Sequence, residues 1–201
     1  MTKHLPENVR RQQILDAARR CFVNKGYFPT RIDDIAAIAG LSKGGIYFHF
    51  GSKKEIFEAL VKQEYEESAA FLEEISTSEK KFDQIFLDMA QHYLESFGKK
   101  SDHTRFFMVM GEMAGRDESV RKLLAALQDQ YAQVVAKIIQ AGIDSGSLKP
   151  VDTKAAATIL KGIIDAVEGY TALGVDMDME KLLSTGLEMI VNGLVKKDSG
   201  G

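Results

Sequence analysis

The chain of 201 residues has no tryptophan, one cysteine and three prolines, and nowhere does it carry eighteen consecutive apolar residues. The lone Cys21 excludes an internal disulfide and any multi-cysteine metal cage, zinc fingers included, and points to a reduced compartment. Without a long apolar run no membrane-spanning helix is expected, and the opening MTKHLPENVRRQQ lacks the hydrophobic stretch of a secretion signal. The expectation is a cytoplasmic chain without a membrane partner. An excess of positive charge is also lacking: 26 Lys and Arg stand against 29 Asp and Glu, for a formal charge of −3. Taken whole, that balance argues against nucleic acid, because duplex binding draws on Lys and Arg facing phosphates. What is present, 45% hydrophobic residues, suffices for the core of one domain or two small ones.

Pro6, Pro29 and Pro150 all fall where a helical pattern has stopped or not yet begun, so the chain reads as all-α. From Glu7 to Lys25, Ile14, Ala18 and Phe22 recur every four positions, and Gly26 ends the stripe. Thr30 with Asp33 reads as a capping box opening a brief helix that runs to Ala39, before Gly40. Ser42 can cap the next short helix, and Ser52 with Glu55 opens a longer one. Beyond these four, helical stripes run through Phe82, Phe86, Met89, Tyr93 and Phe97, then roughly over 104–114, 119–144, 153–172 and 179–195. Gly98, Gly115, Gly146 and Gly174 lie at or near the breaks, and the DSGG tail is expected to be disordered. The organisation expected is a head over residues 1–53 and a body over 54–201.

Charge is divided between these parts. Residues 1–62 hold eleven basic and six acidic side chains, a balance of +5, which leaves −8 for the remaining 139. The bulk figure averages two regions of opposite sign.

Within the basic head, Ile32–Gly51 (IDDIAAIAGLSKGGIYFHFG) has the spacing of a helix-turn-helix. Ala36 falls where two helices would cross, Gly40 where the chain must turn with positive φ, and Ile46 where the second helix would pack on the first with Ile35 and Phe50. That second helix, Lys43–His49, carries adjacent glycines, Gly44 and Gly45, each costing about 1 kcal/mol against alanine. A backbone without Cβ can approach a base pair or phosphate closely, so the broken local rule points to function. Lys43 and Tyr47 share one face, with His49 beside them, and 41–54 holds three lysines and no acid. An anionic partner fits this edge.

The head resembles the DNA-binding domain of TetR-type bacterial transcriptional regulators. The likeness runs from Arg11 to about Leu60, through ILDAA, F-x-x-K-G-Y, D-I-A-x-x-A-G, S-K-G-x-I-Y-x-H-F and K-x-E-I-F. It implies phosphate contacts for Thr30, Ser42, Tyr47, His49 and Lys53, with Lys43, Gly44 and Gly45 nearest the base edges. Phe48 and Gly45 stand where that family varies, which leaves sequence reading to Lys43, Arg31 and DNA shape.

For the body, the resemblance implies a dimerising, effector-binding helical bundle. The last two helical stripes supply candidates for a homodimer interface: Ile159, Ile163 and Val167, then Leu183, Leu187, Ile190 and Leu194. Equally, these stripes can be intrachain core. A small, mainly apolar effector would meet Phe86, Met89, Tyr93, Phe107, Met110, Met113 or Tyr131, with His92, His103, Glu112 and Asp165 as polar groups able to enter. No G-x-S-x-G, P-loop, G-x-G-x-x-G or H-E-x-x-H occurs, so no catalytic residue, metal or cofactor is expected. Asp88 and His92, one turn apart, are half of a metal site and read as solvated. The expected function is a ligand-responsive repressor on a palindromic double-stranded operator. The alternative is a helical ligand-binding or protein-interaction module without specific DNA binding, with a bundle enzyme third.

Overall fold

The computed structural model describes residues 6–195 other than 79, 81 and 100. The DSGG tail and the side chains of Phe82, Phe86 and Phe97 lie outside the described residues. Among those described run α1 (Glu7–Lys25), α2 (Ile32–Ala39), α3 (Lys43–His49), α4 (Lys53–Ser76), α5 (Phe82–Lys99), α6 (Ser101–Arg116), α7 (Glu118–Asp144), α8 (Thr153–Ala172) and α9 (Met179–Leu194). Gly98 and Gly115 lie close to the breaks as expected, each one residue before the end of its helix, α5 and α6 respectively.

Local chemistry sets the ends. Gly26 leaves α1 at φ 81°, and Gly40 leaves α2 at φ 64°, both in the region that β-carbons disfavour. The Ser42 hydroxyl accepts from the Gly45 N–H at 3.1 Å, and the Ser52 hydroxyl accepts from the Glu55 N–H at 3.0 Å. The start of α2 corrects the expected Thr30–Asp33 box: Arg31 is the N-cap residue, and its N–H donates to the Asp34 carboxylate at 2.8 Å. Thr30 is instead buried, its hydroxyl donating to the carbonyls of Gly26 and Cys21 at 2.7 and 3.3 Å.

Two apolar cores form. The first joins Ile14, Phe22, Ile35, Ile46 and Phe50 of the head to Phe57 and Leu60 of α4 and to Phe106 and Met113 of α6. The second gathers Leu72 and Ile75 of α4 with Val135, Ile139, Leu160 and Leu183. Thus α4 belongs to both cores, and between them its face carries Glu64, Tyr65 and Ser68. These are the residues that meet the cavity described below.

Burial also corrects the expected dimer stripes. Val167, Leu183, Leu187 and Leu194 are all buried in the chain's own core, with Ile163 and Ile190 packed at its edge. The inward row of α8 is Ala157, Leu160, Ile164 and Val167, whereas Ile159 points outward at 60% exposure. An i, i+4, i+8 row drifts round a 3.6-residue helix, so the sequence stripe had crossed from one face to the other.

Candidate nucleic-acid interface and cavity

The expected crossing of α2 and α3 is present, with Ile35 and Ile46 wholly buried and Ala36 and Phe50 nearly so. This packing leaves the opposite face of α3 to solvent. Ser42, Lys43, Gly44 and Tyr47 are exposed there, and Phe48 stands out at 81% exposure. The Lys43 ammonium reaches the Asp33 carboxylate at 3.1 Å in an exposed pair that an incoming phosphate or base edge can replace at little cost. Gly44 has no atom nearer to a built Cβ than Ser42 Oγ at 3.9 Å, and Gly45 none nearer than the same atom at 3.5 Å. Nothing inside the fold requires glycine at either position.

Arg31 is exposed at the head of α2, while His49 is half-buried at the end of α3. The His49 carbonyl accepts from the Arg11 guanidinium at 2.6 Å, and that guanidinium also lies 4.1 Å from the centre of the Phe50 ring. Lys53 departs from the expected phosphate role. Its ammonium donates to the carbonyls of Tyr27, Thr30 and Phe28 at 2.7, 2.7 and 3.2 Å, and burial lowers its pKa. Together, Lys53 and the Thr30 hydroxyl tie down the turn between α1 and α2. Both side chains are committed inward, because carbonyls at a buried turn need donors that the local backbone does not supply.

A cavity of about 110 Å³ lies between the two cores. Of the expected effector residues, Tyr93, Phe107, Met110 and Tyr131 line it. Met89 and Met113 do not, being buried in the second and first core respectively, and Phe86 is outside the described side chains. His92 and His103 enter as expected, whereas Glu112 is exposed and pairs with Arg116 at 3.5 Å. The Asp88–His92 pair divides: Asp88 pairs with Lys80 at 2.6 Å, while the His92 ring stacks on Phe71 with centroids 3.8 Å apart.

Sequence reasoning missed more than half the lining, Thr104 and Ile164 included. Glu64, Tyr65, Glu67 and Ser68 come from α4, and Lys161 and Glu168 from α8. The available signal was polar residues interrupting an apolar face, namely Glu64 and Ser68 four apart, and Lys161, Asp165 and Glu168 four and three apart. Asp165, expected to enter, stands outside the lining, where it binds Lys161 and accepts from Gln128 at 3.3 Å. The phenols of Tyr93 and Tyr131 share a 2.6 Å hydrogen bond. Burial pushes the Tyr93 phenol up to about 12 and raises Tyr131 and Tyr65 as well. Burial likewise lifts Glu168 to about 7, against the opposing pull of Lys161.

One cluster joins the cavity to the head. Arg19 of α1, buried, donates to Glu64 at 2.7 Å and contacts His103 Nε2 at 2.7 Å, while His103 Nδ1 lies 3.0 Å from the other Glu64 oxygen. Since arginine can only donate, Nε2 is the acceptor and the Nδ1–H faces Glu64. Two cavity-lining residues on different body helices therefore hold one head residue.

A reading helix turned to solvent, with a polar cavity wired to its supporting helix, places the molecule in the class of ligand-responsive, DNA-binding transcriptional regulators. Residues 14–60 match the model for bacterial regulatory proteins of the tetR family, and residues 84–193 match the tetracyclin repressor-like C-terminal domain. The chain belongs to the TetR family. It is 26% identical over 188 residues to the fatty acid metabolism regulator protein of Bacillus subtilis, covering 92% of this chain and 95% of that one. SmeT, the repressor of the Stenotrophomonas maltophilia multidrug efflux pump SmeDEF, superposes with TM-score 0.75 at 27% identity, over 95% of this chain and 93% of its own. The Bacillus subtilis regulator FadR, solved with stearoyl-CoA, shares the fold with TM-score 0.75 at 23% identity, over 90% and 98%.

Proposed function

We propose that the chain acts in the cytoplasm as a homodimeric repressor that leaves a palindromic operator when a small molecule fills the cavity. The observation that carries this reading is the solvent-facing edge of α3, where Lys43, Tyr47 and Phe48 stand beside a glycine backbone in a stretch without acids. Residues 1–53 read DNA and residues 54–201 hold effector and partner. Lys43 and Arg31 reach base edges, Ser42, Tyr47 and His49 reach phosphates, and Phe48 makes apolar contact with a sugar or a thymine methyl. Thr30 and Lys53 contribute by fixing the turn that carries α2.

The partner copy fits against the outer faces of α8 and α9. Ile159 and Tyr170 on α8, Leu173 at its C-terminal cap, and Met189 on α9 are exposed. Gly162 and Gly193 face open space, which permits close helix approach. Ile159 is the single expected interface residue with its side chain mostly exposed, while Ile163 and Ile190 are partly buried against the core. Two such heads favour half-sites one helical turn apart, roughly 34 to 36 Å.

Release is a population shift in which the effector binds the arrangement of heads that does not fit the operator more tightly than the one that does. Glu64 and His103 are the coupling elements, because a ligand that moves them moves Arg19 and so α1. The effector's apolar body packs on Phe107, Met110 and Ile164. Ligand-bound SmeT, solved with triclosan, and FadR, solved with stearoyl-CoA, are relatives in which the same fold holds a small molecule.

The test is selection of a duplex from random sequence followed by titration in increasing salt. Affinity for a palindrome should fall steeply with salt, and Lys43→Ala should cost about 1–3 kcal/mol on that palindrome but little on random DNA. No duplex binding at low salt would sink the reading and favour a ligand-binding module.

A further inference from the structure

We propose that the ligand is an organic cation, an amine borne on an aromatic or aliphatic body, with its positive charge opposite Glu168 and against the tyrosine faces of the cavity. This rests on the effector reading above and names the chemical class that the same cavity takes.

Charge bookkeeping favours a cation. Glu64, Glu67 and Glu168 line the cavity together with a single lysine, Lys161. Glu64 is already answered by Arg19, and Lys161 is already answered by Asp165. Glu168 remains: among the described residues its carboxylate joins no ion pair and accepts no hydrogen bond. The nearest counter-charge it feels, Lys161, is engaged by Asp165, and a half-buried carboxylate so weakly answered is costly, a cost that a bound cation would offset. An anionic ligand would meet Glu168 and Glu67, with Lys161 already compensated by Asp165 and the His103 ring already held between Arg19 and Glu64.

The walls have the complementary property. Tyr65, Tyr93, Tyr131 and Phe107 present π-systems to the cavity. A cation already uses two of them, since Lys161 Nζ lies 5.5 Å from the Tyr131 ring centre and 5.9 Å from that of Tyr65. These contacts show that the ring walls accept an ammonium, and the Glu168 carboxylate offsets the repulsion a second one would feel from Lys161. The phenols of Tyr93 and Tyr131 are occupied with one another, so their rings rather than their hydroxyls are what a ligand meets.

Calorimetric titration of the full chain at about pH 8, where Glu168 is ionised, separates the possibilities. The probes are benzylammonium, benzyl alcohol and benzoate, which share a body and differ in charge. Benzylammonium should bind roughly tenfold more tightly than either of the others. Glu168→Gln should remove that preference while leaving benzyl alcohol binding and the circular dichroism spectrum unchanged. Benzoate or benzyl alcohol binding as tightly as the cation, no cation binding at millimolar concentration, or an unaltered preference in Glu168→Gln would each overturn the proposal. Operator release is measured beside binding. Release by benzoate or benzyl alcohol alone overturns the cation class and leaves the regulator reading standing. Cation binding without release supports the site and counts against the cavity as the effector site.

Discussion

Glu64 accepts a 2.7 Å hydrogen bond from Arg19 while its side chain borders the cavity, so one carboxylate touches both the ligand space and the first helix of the reading head. Arg19 is held by α4 and α6 at once, through Glu64 and His103. Glu64→Gln keeps the shape and removes the charge, leaving a buried guanidinium half-answered. Stability should drop by about 2–3 kcal/mol in chemical denaturation. Operator affinity without ligand should change little at a temperature where the variant is folded, whereas the ligand-induced fall in affinity should shrink severalfold. A full ligand response in this variant would remove Glu64 from the coupling path.

Gly44→Ala isolates close approach from folding. The nearest atom to the new methyl is Ser42 Oγ at 3.9 Å, an ordinary contact, so the helix should gain up to about 1 kcal/mol. The melting temperature should rise slightly and operator affinity should fall by roughly tenfold as the methyl meets the groove. Wild-type affinity in this variant would show that the DNA backbone does not come that near to α3.

Lys53 is a positioning residue, and the distinction is measurable. Lys53→Met leaves three carbonyls, of Tyr27, Phe28 and Thr30, without their ammonium donor. The expected cost is about 1–3 kcal/mol, with operator binding lost in step with the folded fraction and recovered on cooling. A variant that keeps its melting temperature and still loses the operator would return Lys53 to the phosphates.

Glu168 makes stability fall as pH rises. Burial lifts its pKa from the ordinary 4.5 to about 7, Asp165 and Glu64 add to the rise and Lys161 opposes it. Between these values the folded chain binds a proton that the unfolded chain has released, so stability decreases from about pH 4.5 to 7 and is flat above. Glu168→Gln should flatten that slope and stabilise the protein at pH 8 by about 1–2 kcal/mol, once solvent screening is allowed for. Thermal melts of both proteins across the range provide the check.

Much of this molecule was legible in its sequence because local rules decide it. Gly26 and Gly40 stop helices through backbone sterics alone, Ser42 and Ser52 cap through their own hydroxyls, and the Ala36–Gly40–Ile46 spacing specifies a crossing that no longer-range contact has to select. The division into a +5 head and a −8 body is likewise a property of composition by position. Thr30 shows the limit. As a serine-like residue before a helix it reads as a cap, yet its hydroxyl turns to the carbonyls of Cys21 and Gly26, and Arg31 takes the cap position.

What only the tertiary structure decided is which way each helix faces and which polar side chains meet. The row from Ile159 to Val167 lies on two faces of α8, and nothing short of packing against α7 and α9 says that Val167 goes in and Ile159 out. Glu64, His103 and Arg19 stand up to 84 positions apart, and their meeting depends on three helices converging where two cores end. A carboxylate reads in sequence as solvated surface, the usual state for its type. It becomes the wall of a cavity only when the fold removes its water.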